Sequence, residues 1–311
     1  MSHSSSHSIS RRHILAAGAV LPAAALTMPQ VAQADGHATG AQNAIQNTFS
    51  LGDLQVATLL AGTRVVEGPQ NIFGMNVTPE EFAAASAANF IPSDKTRFYF
   101  TPTVVNSGDD VILFDTGLSA AGTLPALAAA GYAPEDITVV VITHMHGDHI
   151  GGLMNDGAPT YPNARYVTGQ VEYDAWASRE NERFEANMRP LAEKTSFLAD
   201  GQDVAPGITA VAAFGHTPGH MTYMLDSGGQ QILLMADLAN HYVWSLAYPD
   251  WEVKFDQDKA AAAASRRKIL GMLATDKIPM IGYHMPFPGM GYVETQGDGF
   301  RYTPVSYQMS L

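Results

Sequence analysis

The sequence predicts an α+β fold in which two mixed β-sheets pack face to face with helices outside. Short apolar segments rich in β-branched residues occur in both halves of the chain, and helical segments lie between and after them. Sheets and helices that each bury an apolar face form layered structures of this kind. No glycine- and proline-rich linker divides the halves, so we expect a single domain at 35–311 after an N-terminal segment.

The first half contributes five predicted strands and two predicted helices. The turn-forming residues 106–109, Asn-Ser-Gly-Asp, predict a hairpin between two of the strands. The first helix ends before Gly131, a residue that often follows a helix C-terminus. We place the strands at 54–60, 101–105, 111–114, 138–142 and 164–167, and the helices at 124–130 and 171–177.

The second half contributes four more strands and one long helix. The strands are expected at 208–214, 221–225, 232–235 and 278–281. The helix is expected at 256–274, with Asp256 as its N-cap. Arg266, Arg267 and Lys268 lie in its C-terminal half, where positive charge interacts favourably with the helix dipole. Residues 35–48 are small and polar, which predicts a loose arm.

Composition restricts the functions that the chain can have. Its 311 residues are 46% apolar and 15% charged, which is typical of a globular protein with a substantial core. The net charge of −13 argues against nucleic acid as a partner. The absence of cysteine excludes disulfides, thiolate metal ligands and cysteine nucleophiles. Any metal site must therefore use histidine and carboxylate ligands.

The first 34 residues have the pattern of a signal peptide. Arg11 and Arg12 precede an apolar stretch that ends near Leu26, and the small residues of 32–34 offer a cleavage site. The apolar stretch is shorter than the ~20 residues that cross a bilayer, so no stable membrane anchor is expected. The paired arginines favour twin-arginine export. The sequence thus predicts a periplasmic or secreted protein.

The densest functional signal follows the predicted strand at 138–142. Residues 143–149 read Thr-His-Met-His-Gly-Asp-His and contain four potential metal ligands: His144, His146, Asp148 and His149. A strand end is rigid and the following loop can curl, so these side chains can converge on one point. Imidazole nitrogens and carboxylate oxygens suit metals such as zinc, manganese and iron. The segment therefore predicts a metal site.

Three more candidate ligands follow strands in the second half of the chain. The segment Gly-His-Thr-Pro-Gly-His at 215–220 follows one predicted strand and contains His216 and His220. Asp237 follows another strand, and His284 follows the last one. Loops at one edge of a sheet can direct such side chains towards a shared site.

These motifs, in this order, resemble the metallo-β-lactamase superfamily over most of residues 50–311. The resemblance also includes Asp-Thr-Gly at 115–117 and the C-terminal segment 284–305. It implies the αβ/βα four-layer sandwich of that superfamily. Within it, the chain is most similar to the methyl parathion hydrolase-like and quorum-quenching lactonase branch. It departs from that branch at Gly147, where proline is common, and at 66–98, which does not align and is either a lid or a structural insertion.

The resemblance implies two divalent metal ions, with Zn²⁺ expected and Mn, Co or Fe as alternatives. His144, His146 and His220 would hold the first ion, and Asp237 would bridge it to the second. Asp148, His149 and His284 would hold the second. His216 and Asp115 are expected to support these ligands without binding metal themselves.

The expected reaction is hydrolysis of a small-molecule substrate. A hydroxide shared by the two metals would attack an ester, lactone or phosphotriester. Asp148 would act catalytically by orienting the hydroxide and passing a proton to the leaving group. Trp176 matches the position of a pocket tryptophan in the hydrolase branch, and Phe287 follows His284 closely, so both are expected to bind substrate.

Three other functions remain open from the sequence. A β-lactam hydrolase is one, although a chain with Asp237 and no cysteine resembles the lactonases more closely. An iron-dependent sulfur dioxygenase-type oxidoreductase is another, although His146 argues against the diiron members of the fold. A non-catalytic binding protein is disfavoured because all seven ligands are present. A homodimer is left open.

Overall fold

Two large mixed sheets form the centre of this protein, whose structure, a computed structural model, describes residues 44–307. The predicted signal peptide at 1–34 lies outside the described residues. Within 44–307, no helix has both the length and the apolar character needed to cross a membrane.

The strands and helices alternate along the chain and are numbered in chain order. The strands are β1 (Gln46–Leu51), β2 (Leu54–Leu59), β3 (Gly62–Glu67), β4 (Lys95–Phe100), β5 (Thr103–Asn106), β6 (Val111–Phe114), β7 (Val139–Ile142), β8 (Met154–Asn155), β9 (Ala158–Pro159), β10 (Arg165–Gly169), β11 (Thr195–Leu198), β12 (Asp203–Ala205), β13 (Ile208–Ala212), β14 (Met221–Ser227), β15 (Gln230–Ala236), β16 (Met280–Gly282), β17 (Met290–Gln296) and β18 (Gly299–Pro304). The α-helices are α1 (Pro79–Ala88), α2 (Ala120–Ala129), α3 (Gly147–Ile150), α4 (Gln170–Ala177), α5 (Glu182–Asn187) and α6 (Lys259–Asp276).

Each large sheet has seven strands and combines parallel with antiparallel pairs. The first has the order β1-β2-β5-β6-β7-β10-β11, and its parallel pairs join β6, β7, β10 and β11. The second runs from β12 to β18 in chain order, and its parallel pair is β15 with β16. β3 and β4 form a separate hairpin, as do β8 and β9. The prediction of two mixed sheets is confirmed.

The burial of β7 shows how the layers are arranged. Val139 and Val141 pack into a core that contains residues of both large sheets, such as Tyr223 of β14. Val140 and Ile142 point to the other face, into a core shared with Leu127 of α2. Because side chains alternate along a strand, one face of the first sheet meets the second sheet and the other meets helices. The strand is apolar throughout because both of its faces are covered.

Helix α6 covers the outer face of the second sheet. Its Ile269, Leu270 and Leu273 are buried in one core with Leu233 and Met235 of β15. The order helix, sheet, sheet, helix is the four-layer sandwich that the sequence predicts.

Two local predictions require correction, and the structure of one segment left open by the sequence is defined. The range predicted for the loose arm, 35–48, is too long, because Gln46–Leu51 form β1, which pairs with β2. The N-cap of α6 is Asp258, whose side chain accepts a hydrogen bond from the Ala261 N–H, and not Asp256. Segment 66–98, expected to be either a lid or a structural insertion, contains the end of β3, helix α1 and the first residues of β4. Phe82 of α1 packs against Trp244, so α1 is part of the folded core.

Candidate metal centre

The candidate ligands lie just after the ends of four strands. The loop 143–149 follows β7 of the first sheet, while His216, Asp237 and His284 follow β13, β15 and β16 of the second. The loop therefore supplies ligands from one sheet, and the other three residues approach it from the facing sheet. Each buried strand fixes the backbone that leads to its ligand.

The ligand atoms form two groups. His144, His146, His216 and Asp237 offer atoms that lie within 4.8 Å of one another, and Asp148, His149 and His284 do the same. In the first group, Nε2 of His144 and Nε2 of His216 each lie 3.0 Å from Nδ1 of His146. Three imidazole nitrogens therefore converge on one point.

Asp237 lies between the two groups. Its Oδ1 is 3.2 Å from Nε2 of His149, and its Oδ2 is 3.2 Å from Nε2 of His284. The same Oδ2 is 3.3 Å from Nε2 of His216. One carboxylate thus contacts histidines of both groups, the position that the sequence-based prediction assigned to a bridging ligand.

The structure exchanges the positions expected for His216 and His220. His216 belongs to the first group, whereas both ring nitrogens of His220 face the backbone: Nε2 accepts the Asp237 N–H at 3.1 Å, and Nδ1 lies 3.2 Å from the Ala213 carbonyl oxygen. His220 therefore contacts the backbone at Asp237 in this arrangement, while its assignment as a ligand, with His216 as a supporting residue, stays a prediction.

The residues present fit a pair of metal ions. Nε2 of His149 and Oδ1 of Asp237 are buried and lie 3.2 Å apart, but neither makes a hydrogen bond of acceptable geometry among the described residues. A buried polar atom without a partner is costly, and a bound cation would satisfy both atoms. Imidazole nitrogens and carboxylate oxygens are ligands that zinc accepts.

Burial and charge interactions together shift the pKa values of the acidic and basic groups of the site. Burial alone would raise the pKa of Asp148, but His149 and His284 lower it to about 2. Burial would lower the pKa of His284, but Asp237 and Asp148 raise it to about 10. For His146, burial and the nearby His216 lower the pKa to about 3. The carboxylates are therefore anionic at neutral pH, as metal ligands must be.

Partners behind the ligands fix the orientation of three imidazoles. Asp115, expected to be a supporting residue, lies with Oδ2 2.7 Å from Nδ1 of His149 and also accepts hydrogen bonds from the N–H and hydroxyl of Thr143. Nδ1 of His284 donates to the Tyr99 carbonyl at 2.7 Å, and Nδ1 of His216 lies 3.0 Å from Oδ1 of Asp256. Donation from Nδ1 directs Nε2 of each ring towards the ligand groups, where it can bind a metal once its proton is released.

A buried glutamate on α4 connects two of the ligand loops. Oε1 of Glu172 accepts the Met145 N–H at 2.9 Å, and Oε2 accepts the Gly219 N–H at 2.8 Å. Its side chain has no exposure to solvent. The sequence gives no signal for this role, because a single glutamate in a helix resembles any solvated residue.

A cavity of about 470 Å³ opens beside the two ligand groups. Its polar side is formed by residues of the site, and its apolar wall comes largely from β3, β4 and the turn that follows β3. The lining includes His146, Asp148, Asp237, His284, Val66, Ile72, Phe98, Phe100, Leu118, Phe255, Arg64 and Arg183. The side chain of Asp148 is 22% exposed, so it is accessible from the cavity.

The two residues expected to bind substrate do not line this cavity. Trp176 is buried in the core behind the site, with its ring 5.7 Å from the ring of His146. Phe287 is half-buried and precedes a cis proline, but it is not part of the cavity wall. Phe98 and Phe100 occupy the place predicted for these aromatic residues. Phe98 is the last residue of segment 66–98, which does not align with the family, and Phe100 lies just after it.

Comparison with known proteins agrees with the fold and with the motifs. The model of the metallo-β-lactamase superfamily matches residues 101–279, which is more than half of the chain. The chain belongs to the metallo-β-lactamase superfamily. This membership covers β5 to α6 and therefore the loops that carry all of the candidate ligands except His284.

Relatives within this superfamily include lactonases. An N-acyl homoserine lactonase from Bacillus cereus is 27% identical over 142 residues, which are 46% of this chain and 54% of the relative. The chain thus matches about half the length of this curated relative.

Solved structures match over more of the chain. AidC, a dizinc quorum-quenching lactonase in complex with its product, is 26% identical with a TM-score of 0.78, covering 86% of this chain and 100% of AidC. The hydrolase AbOPH has the same TM-score and coverage of this chain, with 99% of its own chain covered, but at 24% identity it shows the fold alone.

Proposed function

We propose that this metallo-β-lactamase superfamily member is a metal-dependent hydrolase that opens lactones of small molecules. The observation that carries the proposal is the position of Asp237 between two groups of ligands beside an apolar cavity. The likeness to a dizinc lactonase over 86% of the chain supports it. The ligand groups suit hydrolysis of an ester bond, and the apolar cavity wall suits a substrate that also has an apolar part.

Seven side chains would hold two divalent metal ions, with zinc as the expected metal. His144, His146 and His216 would hold the first ion; Asp148, His149 and His284 would hold the second, and Asp237 would contact both. When bound, such metals supply a nucleophile by lowering the pKa of water, and they polarise the carbonyl oxygen of the substrate. No serine or cysteine nucleophile is then required.

The remaining steps fall to residues of the chain. Asp148 borders the cavity and is anionic, so its free oxygen can accept a proton from water and return it to the leaving alcohol. Opening a lactone adds water across the C–O bond and yields one hydroxyl and one carboxylate. Phe98, Phe100 and Ile72 would hold the apolar part of the substrate and exclude water from that side of the cavity.

The proposal is tested by metal counting combined with a substrate panel. The purified protein should hold two metal ions per chain and should hydrolyse N-acyl homoserine lactones faster than aryl esters, paraoxon-type phosphotriesters or a chromogenic β-lactam. Asp237→Asn should lose metal and activity together. Asp226→Asn, an equal charge change on an exposed strand, is the matched control. Full metal content in Asp237→Asn, or a preference for the β-lactam, would contradict the proposal.

We also propose that residues 1–34 are a signal peptide of the twin-arginine type, that 35–311 form the mature domain, and that the protein is periplasmic or secreted. The paired Arg11 and Arg12 carry this proposal. Changing both to lysine should retain the protein in the cytoplasm, as followed by cell fractionation. Export of the lysine variant at the normal rate would contradict it.

A further inference from the structure

Two arginines line the cavity without a carboxylate partner. Within residues 44–307 the arginines that form ion pairs are Arg189, Arg266, Arg267 and Arg301, and neither Arg64 nor Arg183 is among them. The carboxylates of the cavity, Asp148 and Asp237, are engaged by histidines. Arg64 and Arg183 thus place two cations at one cavity in a chain whose net charge is −13.

Arg183 lies against the ligand loop because residue 147 is glycine. A β-carbon built on Gly147 would lie 2.4 Å from a terminal nitrogen of Arg183 and 2.5 Å from its δ-carbon. The arginine side chain therefore lies directly against the backbone between His146 and Asp148. Any larger residue at 147 would displace the guanidinium.

The rest of the cavity favours a strong interaction with an anion. Arg64 of β3 lines the same cavity and stands opposite Phe98 in the β3–β4 pairing, so a second cation adjoins the apolar wall. Guanidinium groups bind carboxylates through two parallel hydrogen bonds.

We propose that Arg183, assisted by Arg64, binds an anionic group on the substrate, so that the enzyme prefers lactones or esters carrying a carboxylate over neutral ones. This inference rests on the proposed hydrolase function and concerns which substrate is bound. The cleaved bond and the proton transfers are those described above. Gly147 has the role of making room for the arginine.

A matched pair of substrates tests the inference. A γ-butyrolactone with a ring carboxylate and the same lactone with a carboxamide differ in charge and little in size. The wild-type protein should have the higher kcat/KM for the carboxylate. Arg183→Gln should lower kcat/KM for the carboxylate by roughly 10-fold or more, the effect of losing a charged hydrogen bond, and leave the carboxamide within about 3-fold. Arg301→Gln, an equal charge change on an exposed strand, should alter neither value.

Gly147→Ala provides a second and independent test. In the presence of Arg183 it should reduce the preference for the carboxylate, and in an Arg183→Gln background it should have no further effect. Metal content must be equal in all variants. Equal loss of kcat/KM for both lactones in Arg183→Gln, or a wild-type protein without preference, would overturn the inference.

Binding measured without turnover separates this inference from the proposed function. Glutarate should bind the wild-type protein more tightly than it binds Arg183→Gln in isothermal titration calorimetry. If neither lactone is hydrolysed but glutarate binding depends on Arg183, the hydrolase proposal fails while the anion site stands. If lactones are hydrolysed and glutarate binds both proteins equally, the anion site is wrong.

Discussion

The imidazole of His216 is held by the carboxylate of Asp256, whose Oδ1 atom lies 3.0 Å from Nδ1 of His216. The other oxygen of Asp256 accepts a hydrogen bond of 2.8 Å from Arg266. Arg266 also donates to the Pro249 carbonyl, and all three side chains are buried. Burial alone would lower the pKa of His216, but its contacts with Asp237 and Asp256 raise it to about 9. A chain of fixed partners therefore aims Nε2 of His216 into the first ligand group.

We predict that Asp256→Asn lowers affinity for one metal ion by roughly 10- to 100-fold, as loss of the partner of a metal-binding histidine typically does. The asparagine amide would place donors against Arg266 and disturb the orientation of His216. Affinity is measured by competition with a chelator, and Asp226→Asn serves as the control. Unchanged metal affinity with reduced thermal stability would show that Asp256 has only a structural role.

We predict different outcomes for the two histidines of the segment 215–220. His216→Ala should reduce the metal content to about one ion per chain, because the first group loses one of its three nitrogens. His220→Gln should retain two ions, because the glutamine oxygen can accept the Asp237 N–H in place of Nε2. Metal content is measured by elemental analysis of the purified proteins. The reverse pattern would restore the assignment that the sequence motif alone suggested.

Glu172 is predicted to hold the two ligand loops together. Glu172→Ala leaves the N–H groups of Met145 and Gly219 buried without partners, at a cost of roughly 1–3 kcal/mol each. Glu172→Gln retains one acceptor, so its free energy of unfolding should fall by about half as much. Chemical unfolding measures the stability of both variants, with Asp174→Asn on the same helix as the control. Equal stability of the alanine and wild-type proteins would contradict the role.

The sequence predicted what is encoded locally and missed what depends on contacts between distant segments. Apolar runs identify strands, and ligands that follow strands identify the site. His216 and His220 lie four residues apart in similar glycine contexts, so only the path of the turn decides which faces the site. The sequence predicts Asp256 as a helix cap, yet its partner His216 is 40 positions away.

The residues that line the cavity were harder to predict from the sequence than the metal ligands. Its apolar wall comes from a hairpin whose sequence has no recognisable motif, and Phe98 enters the site only because β4 pairs with β3. Trp176 has a matching position in similar hydrolases, but the helix that carries it turns the indole into the core.

His241 is predicted to make stability fall at acidic pH. It is buried against Trp244, with ring centroids 4.1 Å apart, and its Nδ1 accepts the N–H groups of Val243 and Trp244. Burial lowers its pKa from 6.5 to about 3, because the charged imidazolium is poorly solvated there. Its neutral form is the one that accepts these hydrogen bonds, so the folded state resists protonation.

Between pH 6.5 and pH 3 the unfolded chain therefore binds one more proton at His241 than the folded chain does. The free energy of unfolding should fall by up to about 1.4 kcal/mol for each pH unit in this range and should show no contribution from His241 above it.

His241→Asn keeps an acceptor for the two N–H groups but cannot titrate. Urea unfolding at pH 7 and pH 5 should show a decrease that is roughly 2 kcal/mol larger for the wild-type protein than for the variant. Loss of the aromatic contact lowers the stability of the variant equally at both pH values, so only the difference between them reports titration. Parallel pH profiles for the two proteins would show that His241 does not carry the effect.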